Sequence, residues 1–170
     1  MKTTVIRLLV MLLFVLFGAH HAGYRLNVSD SYPVGIYQVT PTQPYQPGDL
    51  VSFCPPSNDI IKMGLSRGYL KRGLCASGTT PLVKKIMAMN GERITLDDVV
   101  QINHNVWKDF PVRSVDSHHR LLPKLTDFTL QQGEMFLLSD YAPASSFDGR
   151  YFGAIQASSI LGKARPIFIF

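Results

Sequence analysis

Two serines stand two residues apart in Arg25–Val39, RLNVSDSYPVGIYQV, where Ser29 and Ser31 precede Pro33 and Gly35. A serine hydroxyl becomes a useful nucleophile only when a neighbouring group removes its proton. Histidine is the usual base, but His20, His21, His104, His118 and His119 are scattered, and surface or capping roles suit all five better than a Ser-His-Asp triad. Lysine is the other candidate. Its reference pKa near 10.4 must fall by about 3 units, at a cost of roughly 4 kcal/mol, before it can accept a proton at neutral pH. The segment PLVKKIMAM supplies two lysines in apolar company. Read as a strand, it puts Lys84 on a face with Leu82, Ile86 and Ala88, and Lys85 on a face with Val83, Met87 and Met89. Periodicity leaves open which lysine is desolvated, and an edge-strand lysine reaching back to water is the ordinary alternative.

The elements that must hold these residues read as short strands with loop punctuation, which makes the chain mainly β. GIYQVT and DLVSFC predict strands, separated by a proline-rich connection with a Pro-Gly-Asp turn. NDIIKMGLSRGYLKRGL has helix-like spacing. PLVKKIMAM is a strong strand, and the Asn90-Gly91 turn predicts a hairpin into ERITL. DVVQINHNVW reads as one further strand region, Phe110 to Thr129 as a polar, loop-rich stretch, GEMFLLSD as a strand, YAPASSFDGRYFG as a loop and SSILGKARPIFIF as a closing strand.

The N-terminus reads as an export signal. Lys2 and Arg7 precede an uncharged run from Leu8 to Ala19, short for a span that needs about 20 residues but extendable by its flanks. GAHHAG lacks a clean small-x-small cleavage site, so residues 1–24 are expected to form a retained anchor, with residues 25–170 outside the cytoplasm. Cys54 and Cys75, an even pair in an exported chain, predict a disulfide. Hydrophobic residues at 46% allow a full core, and a net charge of +5 spread without a basic block argues against nucleic-acid binding. No metal-ligand spacing and no phosphate loop is present, so neither metal nor cofactor is expected.

SYPVGIY, PLVKKIMAMNGERI and FLLSDYAPASSFDGRYFG together resemble, in order and spacing, the serine, lysine and third boxes of the signal peptidase I family of Ser-Lys peptidases. The likeness is closest to its conjugative-transfer branch, the TraF-type pilin-processing peptidases: that branch's Ser-x-Pro-x-Gly-x-Tyr is matched by Ser31, Pro33, Gly35 and Tyr37, and RGYLKRGLC also looks like it. The resemblance implies a signal-peptidase/LexA-like antiparallel β-sheet domain with a small subdomain inserted at about residues 95–135. It implies Ser31 as nucleophile, Lys84 as general base and Ser29 as an oxyanion donor. Ser146 is implied as the hydroxyl orienting Lys84, with Ser145 a competing match because the spacing from Asp140 to Asp148 is one residue long. Asp148 and Arg150 are implied as a brace, and Asp140 matches a leading aspartate of undefined role. Ser139, Tyr141 and Gly149 depart from the pattern. The implied function is a membrane-anchored endopeptidase of the bacterial inner membrane with a periplasmic catalytic domain. Its substrate would be an exported precursor, the pilin precursor of a conjugative transfer system foremost, bound extended along a strand edge near Leu82–Lys84. Cyclisation follows if the substrate's own amine attacks the acyl-enzyme, and type IV secretion components are the implied partners. The competing readings are a general signal peptidase I, a non-catalytic component of a secretion channel, and a self-cleaving regulator of the same fold.

Overall fold

The computed structural model describes residues 2–170. Helix α1, Lys2–His21, is 20 residues long with no buried residue, long and apolar enough to cross a membrane. The helix takes in Lys2 to Arg7 as well as the uncharged run, which supplies the length that the run alone lacks. Ala22 and Gly23 connect it to strand β1, Tyr24–Asn27. Gly23 has φ +85°, and a Cβ there would stand 2.4 Å from the Val39 carbonyl oxygen, so only glycine permits this close junction.

Strands β2 (Gly35–Thr40), β3 (Leu50–Phe53) and β4 (Leu82–Ala88) follow β1 in sequence, with helix α2 (Asp59–Ser66) between β3 and β4. Next come β5 (Arg93–Leu96), β6 (Val99–Ile102), β7 (Asn105–Pro111) and β8 (Phe128–Thr129), and then β9 (Glu134–Leu138). A one-turn helix α3 (Gly149–Phe152), strand β10 (Ile155–Gln156) and the long β11 (Ile160–Ile169) complete the chain. Seven strands form one antiparallel sheet in the order β1-β2-β11-β3-β4-β9-β10, and four form a second in the order β7-β6-β5-β8. The mainly β, antiparallel architecture expected from the strand pattern is what the chain adopts.

Apolar alternation explains the packing. Val51, Phe53, Ile86 and Leu137 are buried with Ile61 of α2 and with Tyr151 and Phe152 of α3. Ala88, Phe136 and Leu138 continue into the small sheet's Ile94, Val100 and Ile102. A third cluster holds Tyr32, Tyr37, Val83 and Ala164.

Four local expectations change. The Asn90-Gly91 turn does not close a hairpin, because β4 pairs with β3 and β9 while β5 pairs with β6 and β8. It is a corner between sheets: Gly91 N–H bonds the Leu130 carbonyl at 2.8 Å and the Glu92 carboxylate accepts from Met89 N–H at 2.8 Å. The tight hairpin is instead within DVVQINHNVW, where Asn103 and His104, both at positive φ, join β6 to β7 with Ile102 opposite Asn105. The helical segment is only α2, capped by Asn58 at Ile61 N–H (2.9 Å); Gly68, at φ +78°, turns the chain away two residues beyond its end. The loop after β9 contains α3, whose first turn is capped by Asp148.

Cys54 and Cys75 are bonded, tying the end of β3 to the far end of the α2 segment across a sequence separation of 21. Loop-closure entropy gives such a link roughly 3 kcal/mol. We expect Cys54→Ser/Cys75→Ser to lose about that much in urea unfolding, and reductant to move the wild-type midpoint equally; an unmoved midpoint would show that packing alone holds the segment.

Candidate active site

Ser31 lies on the loop between β1 and β2, which folds around one side chain. The buried Asn27 amide donates to the carbonyls of Ser29 (3.2 Å), Tyr32 (3.0 Å) and Pro33 (3.1 Å). Its Oδ1 accepts from the Ser29 N–H at 3.2 Å and the Ser29 Oγ at 2.9 Å. Tyr37 Oη donates to the Pro33 carbonyl at 2.9 Å, which fixes the exit into β2. Two contacts then hold the loop at Ser31: Ser139 Oγ donates to the Ser31 carbonyl at 2.5 Å, and the neighbouring Tyr32 Oη donates to the Asp140 carboxylate.

Lys84 is on β4, opposite Val51 of β3, and is 1% exposed. Its Nζ donates to Ser146 Oγ at 2.5 Å, and Ser146 Oγ lies 3.3 Å from Ser31 Oγ. The three side chains thus form a line, Ser31–Ser146–Lys84, with Ser146 between the serine and the amine. Burial pulls the Lys84 pKa down to about 8; the Asp148 carboxylate opposes that shift and the Arg150 guanidinium adds to it. Lys85 diverges from its neighbour. It is partly exposed and pairs with Asp140, whose carboxylate also takes the Tyr32 hydroxyl. Burial would raise the Asp140 pKa, but the bonds from Lys85 and Tyr32 outweigh it and hold the carboxyl below its ordinary value. Asp140 therefore pins the serine loop to β4.

Asp148 and Arg150 are 0% and 1% exposed and joined bidentately, Nε to Oδ1 at 2.8 Å and Nη2 to Oδ2 at 2.9 Å. Arg150 also donates to the carbonyls of Pro111 (2.6 Å) and Ser146 (3.1 Å), and Asp148 accepts from Ser139 N–H at 3.3 Å. Such a pair tolerates burial because each of its side-chain nitrogen and oxygen atoms has a hydrogen-bond partner. It sets the carbonyl of Ser146, and hence the hydroxyl in the line.

The candidates named from the sequence are brought together with few exceptions. Ser146, not Ser145, contacts Lys84 and Ser31. Ser29 lines the cleft, but its hydroxyl is committed to Asn27 rather than pointing free. Among the described residues no histidine is hydrogen-bonded to either serine. Three residues that the sequence reading did not assign to the site are Asn27, Tyr32 and Ser139. Only Ser139 carried a signal, as the departure from glycine at that position. Among the described residues the β9 side of Leu82–Lys84 has no strand partner, since pairing with β9 begins at Lys85. That open edge borders a cavity of about 230 Å³ lined by Ser29, Ser31, Lys84, Ser146, Leu70 and Thr80.

A serine line ending in a buried amine, on a curled antiparallel sheet behind an apolar helix, defines a class of peptidase. A family model described as signal peptidase, peptidase S26, matches residues 1–169, and the chain belongs to that family. It is 39% identical to the conjugal transfer protein TraF of Agrobacterium fabrum, over 99% of this chain and 98% of that protein. It is 35% identical to a plasmid transfer protein TraF of Escherichia coli, over 88% of this chain and 85% of the other. Among solved structures it is similar to a signal peptidase I from Enterococcus faecalis, with a TM-score of 0.39, 22% identity, and coverage of 73% of this chain and 98% of that one.

The sign of the Lys84 contribution to stability follows from its lowered pKa. Below pH 8 the amine is charged in both folded and unfolded chains, so the folded state carries the whole desolvation penalty, roughly 3 kcal/mol. Between about pH 8 and the ordinary value of 10.5 the folded chain sheds the proton and the penalty fades. Lys84→Met is therefore expected to raise stability at pH 7 by about 2 kcal/mol, after loss of the Ser146 bond, with the gain shrinking towards pH 10 in denaturant unfolding. A variant less stable than wild type at pH 7 would mean that the amine is well accommodated as a cation.

Proposed function

We propose that this chain is a membrane-anchored Ser-Lys endopeptidase that cleaves an exported precursor, specifically the pilin precursor of a conjugative transfer system. The observation that carries the reading is the line from Ser31 through Ser146 to a buried Lys84. The conjugal-transfer names of the relatives support the biological setting. Lys2 and Arg7 at the start of α1 support an orientation with the catalytic domain in the periplasm.

A charged amine can only donate, so while Lys84 is protonated Ser146 Oγ accepts from Nζ and has its own proton to offer Ser31 Oγ. Loss of one ammonium proton reverses that direction. Ser31 then gives its proton to Ser146 Oγ as Ser146 passes its own to Lys84 Nζ, and Ser31 Oγ bonds to the scissile carbonyl carbon. The oxyanion is met by the Ser31 N–H and by Ser29 Oγ, which exchanges its bond to Asn27 for one to the substrate. The proton returns along the same line to the leaving nitrogen, the C–N bond breaks, and an acyl-enzyme remains. Water, or an amine of the substrate, attacks that ester and gives a linear or a cyclic product respectively. The substrate runs extended along the open edge of Leu82–Lys84.

The test is co-expression with the precursor encoded nearby, read by product mass. Ser31→Ala and Lys84→Ala should leave the precursor intact, and Ser146→Ala should slow processing by roughly a hundredfold or more, while His118→Ala and His119→Ala process normally. A cyclic product is one water lighter than the hydrolysed one. With purified enzyme, the rate should rise with pH to a plateau with a limb near 8, because only the neutral amine accepts the proton. Processing by Ser31→Ala would remove the peptidase assignment from this site.

A further inference from the structure

The cleft at Ser31 has a hollow on either side of it that shares lining residues with it, and the shared residues give it a direction. A cavity of about 430 Å³ beside β1 shares Ser29 and Thr80 with the cleft, and another of about 490 Å³ shares Tyr69, Ser145, Ser146 and Phe147. Acyl chemistry assigns the two ends. The proton taken from Ser31 is returned to the leaving nitrogen through Ser146, so the leaving segment must depart on the Ser146 side. The acyl part then lies on the Ser29 side, where the oxyanion donors stand.

The cavity on the Ser146 side has a cation at its rim, the exposed Arg113. Arg113 donates its backbone N–H to Tyr151 Oη at 3.4 Å and its Nε to the Ala144 carbonyl at 3.1 Å, on the same loop as Ser146. Among the described residues its two Nη groups have no hydrogen-bond partner, and it forms no ion pair. The other charged side chains in this region are spoken for. Asp116 takes Arg120 Nε at 2.7 Å, the N–H groups of His118 (2.9 Å) and Arg120 (2.8 Å), and the Tyr69 hydroxyl. A guanidinium fixed at Nε with a free outer edge is shaped for a carboxylate.

We propose that this hollow is the leaving-group site and that Arg113 binds a carboxylate on the segment released from the acyl-enzyme. The proposal rests on the peptidase reading, whose polarity it uses. The carboxylate can be the C-terminus of a short released peptide or an acidic side chain within a longer one.

The experiment uses the full chain in detergent micelles and peptides that span the mapped cleavage site of the precursor and end a few residues beyond it. Three forms share one acyl side: a free C-terminal acid, its C-terminal amide, and the amide with a glutamate in the leaving segment. Wild type is expected to prefer the acid or the glutamate form over the plain amide by roughly tenfold in kcat/KM. Which of the two is preferred identifies the source of the carboxylate. Arg113→Gln should bring that ratio close to one, and Arg113→Lys should keep part of it. An unbiased wild type, or an Arg113→Gln that slows all three forms equally and preserves the ratio, overturns the proposal, the latter showing Arg113 to be only a brace for the Ala144 loop. Anisotropy of labelled acid and amide peptides on the Ser31→Ala chain separates the two readings. Acid-selective binding that Arg113→Gln removes supports the site even if no peptide is cleaved, whereas cleavage with no such selectivity retains the peptidase and discards the site.

Discussion

An amine at 1% exposure is the constraint around which this molecule is arranged. Lys84 can serve as a base only if its cation is kept uncomfortable, yet it sits beside Asp148, a buried carboxylate whose attraction opposes the loss of charge. A free carboxylate close to a lysine typically raises its pKa by one to three units, enough to restore an ordinary, protonated amine. Burial of Lys84 outweighs that attraction, and the bidentate clasp of Arg150 on Asp148 offsets part of it. It neutralises the carboxylate locally, adds a positive charge of its own to the field at Lys84, and uses its remaining N–H groups on the Ser146 and Pro111 carbonyls. The ion pair thus tempers the carboxylate's pull on Lys84 and braces the Ser146 loop.

The same economy of contacts fixes Ser31. Ser31 belongs to a loop without regular structure, which by itself would be mobile. Asn27 converts that loop into a closed turn with five hydrogen bonds, and Ser139 and Asp140, consecutive residues after β9, grip Ser31 and Tyr32 from across the cleft. Three distant stretches of chain therefore meet at the serine, and each is rooted in a strand: β1, β4 or β9. A site on rigid roots can hold reacting groups within the small tolerance that catalysis needs.

Local chemistry was readable in the sequence wherever one stretch decided the outcome, and obscure wherever pairing between stretches did. GIYQVT, PLVKKIMAM and GEMFLL are strands because their own residues prefer that state. The two lysines of β4 could not be separated by periodicity, because both faces of that strand are apolar. Their difference comes from Asp140, which draws Lys85 outward, and from Val51 and Ser146, which enclose Lys84. Asn90-Gly91 has hairpin chemistry, but the free edge it would fold back upon is taken by β9, a partner that local sequence does not announce. Asn103-His104 escaped notice for the converse reason: histidine is an unusual occupant of a positive-φ turn position, and only the pairing of β6 with β7 forces it there. The resemblance to the peptidase boxes supplied Ser31, Lys84 and Ser146. It could not supply Asn27, Tyr32 or Ser139, whose roles exist only in the contacts they make.

The short path from helix to Ser31 bears on where the cleft can lie. Between the end of α1 and the Ser31 loop there are only two linking residues and the four residues of β1, about 20 Å of extended chain. Gly23 closes the junction so tightly that its carbonyl accepts the Val39 N–H at 2.8 Å, which leaves the helix little freedom to swing away from the sheet. With α1 in a bilayer, Ser31 is held within about one strand's length of the surface from which the chain emerges. A substrate's cleavage site must then be presented at a similar height, either because the substrate is itself still membrane-bound or because its scissile segment lies along the interface. Leu26, Val28, Phe168 and Phe170, exposed on β1, at the loop's start and at the chain's end, line that same margin of the sheet. Their apolar surface is costly in water and neutral or favourable at a lipid boundary, so it lies where the chain nearest the apolar helix would lose least by exposing it.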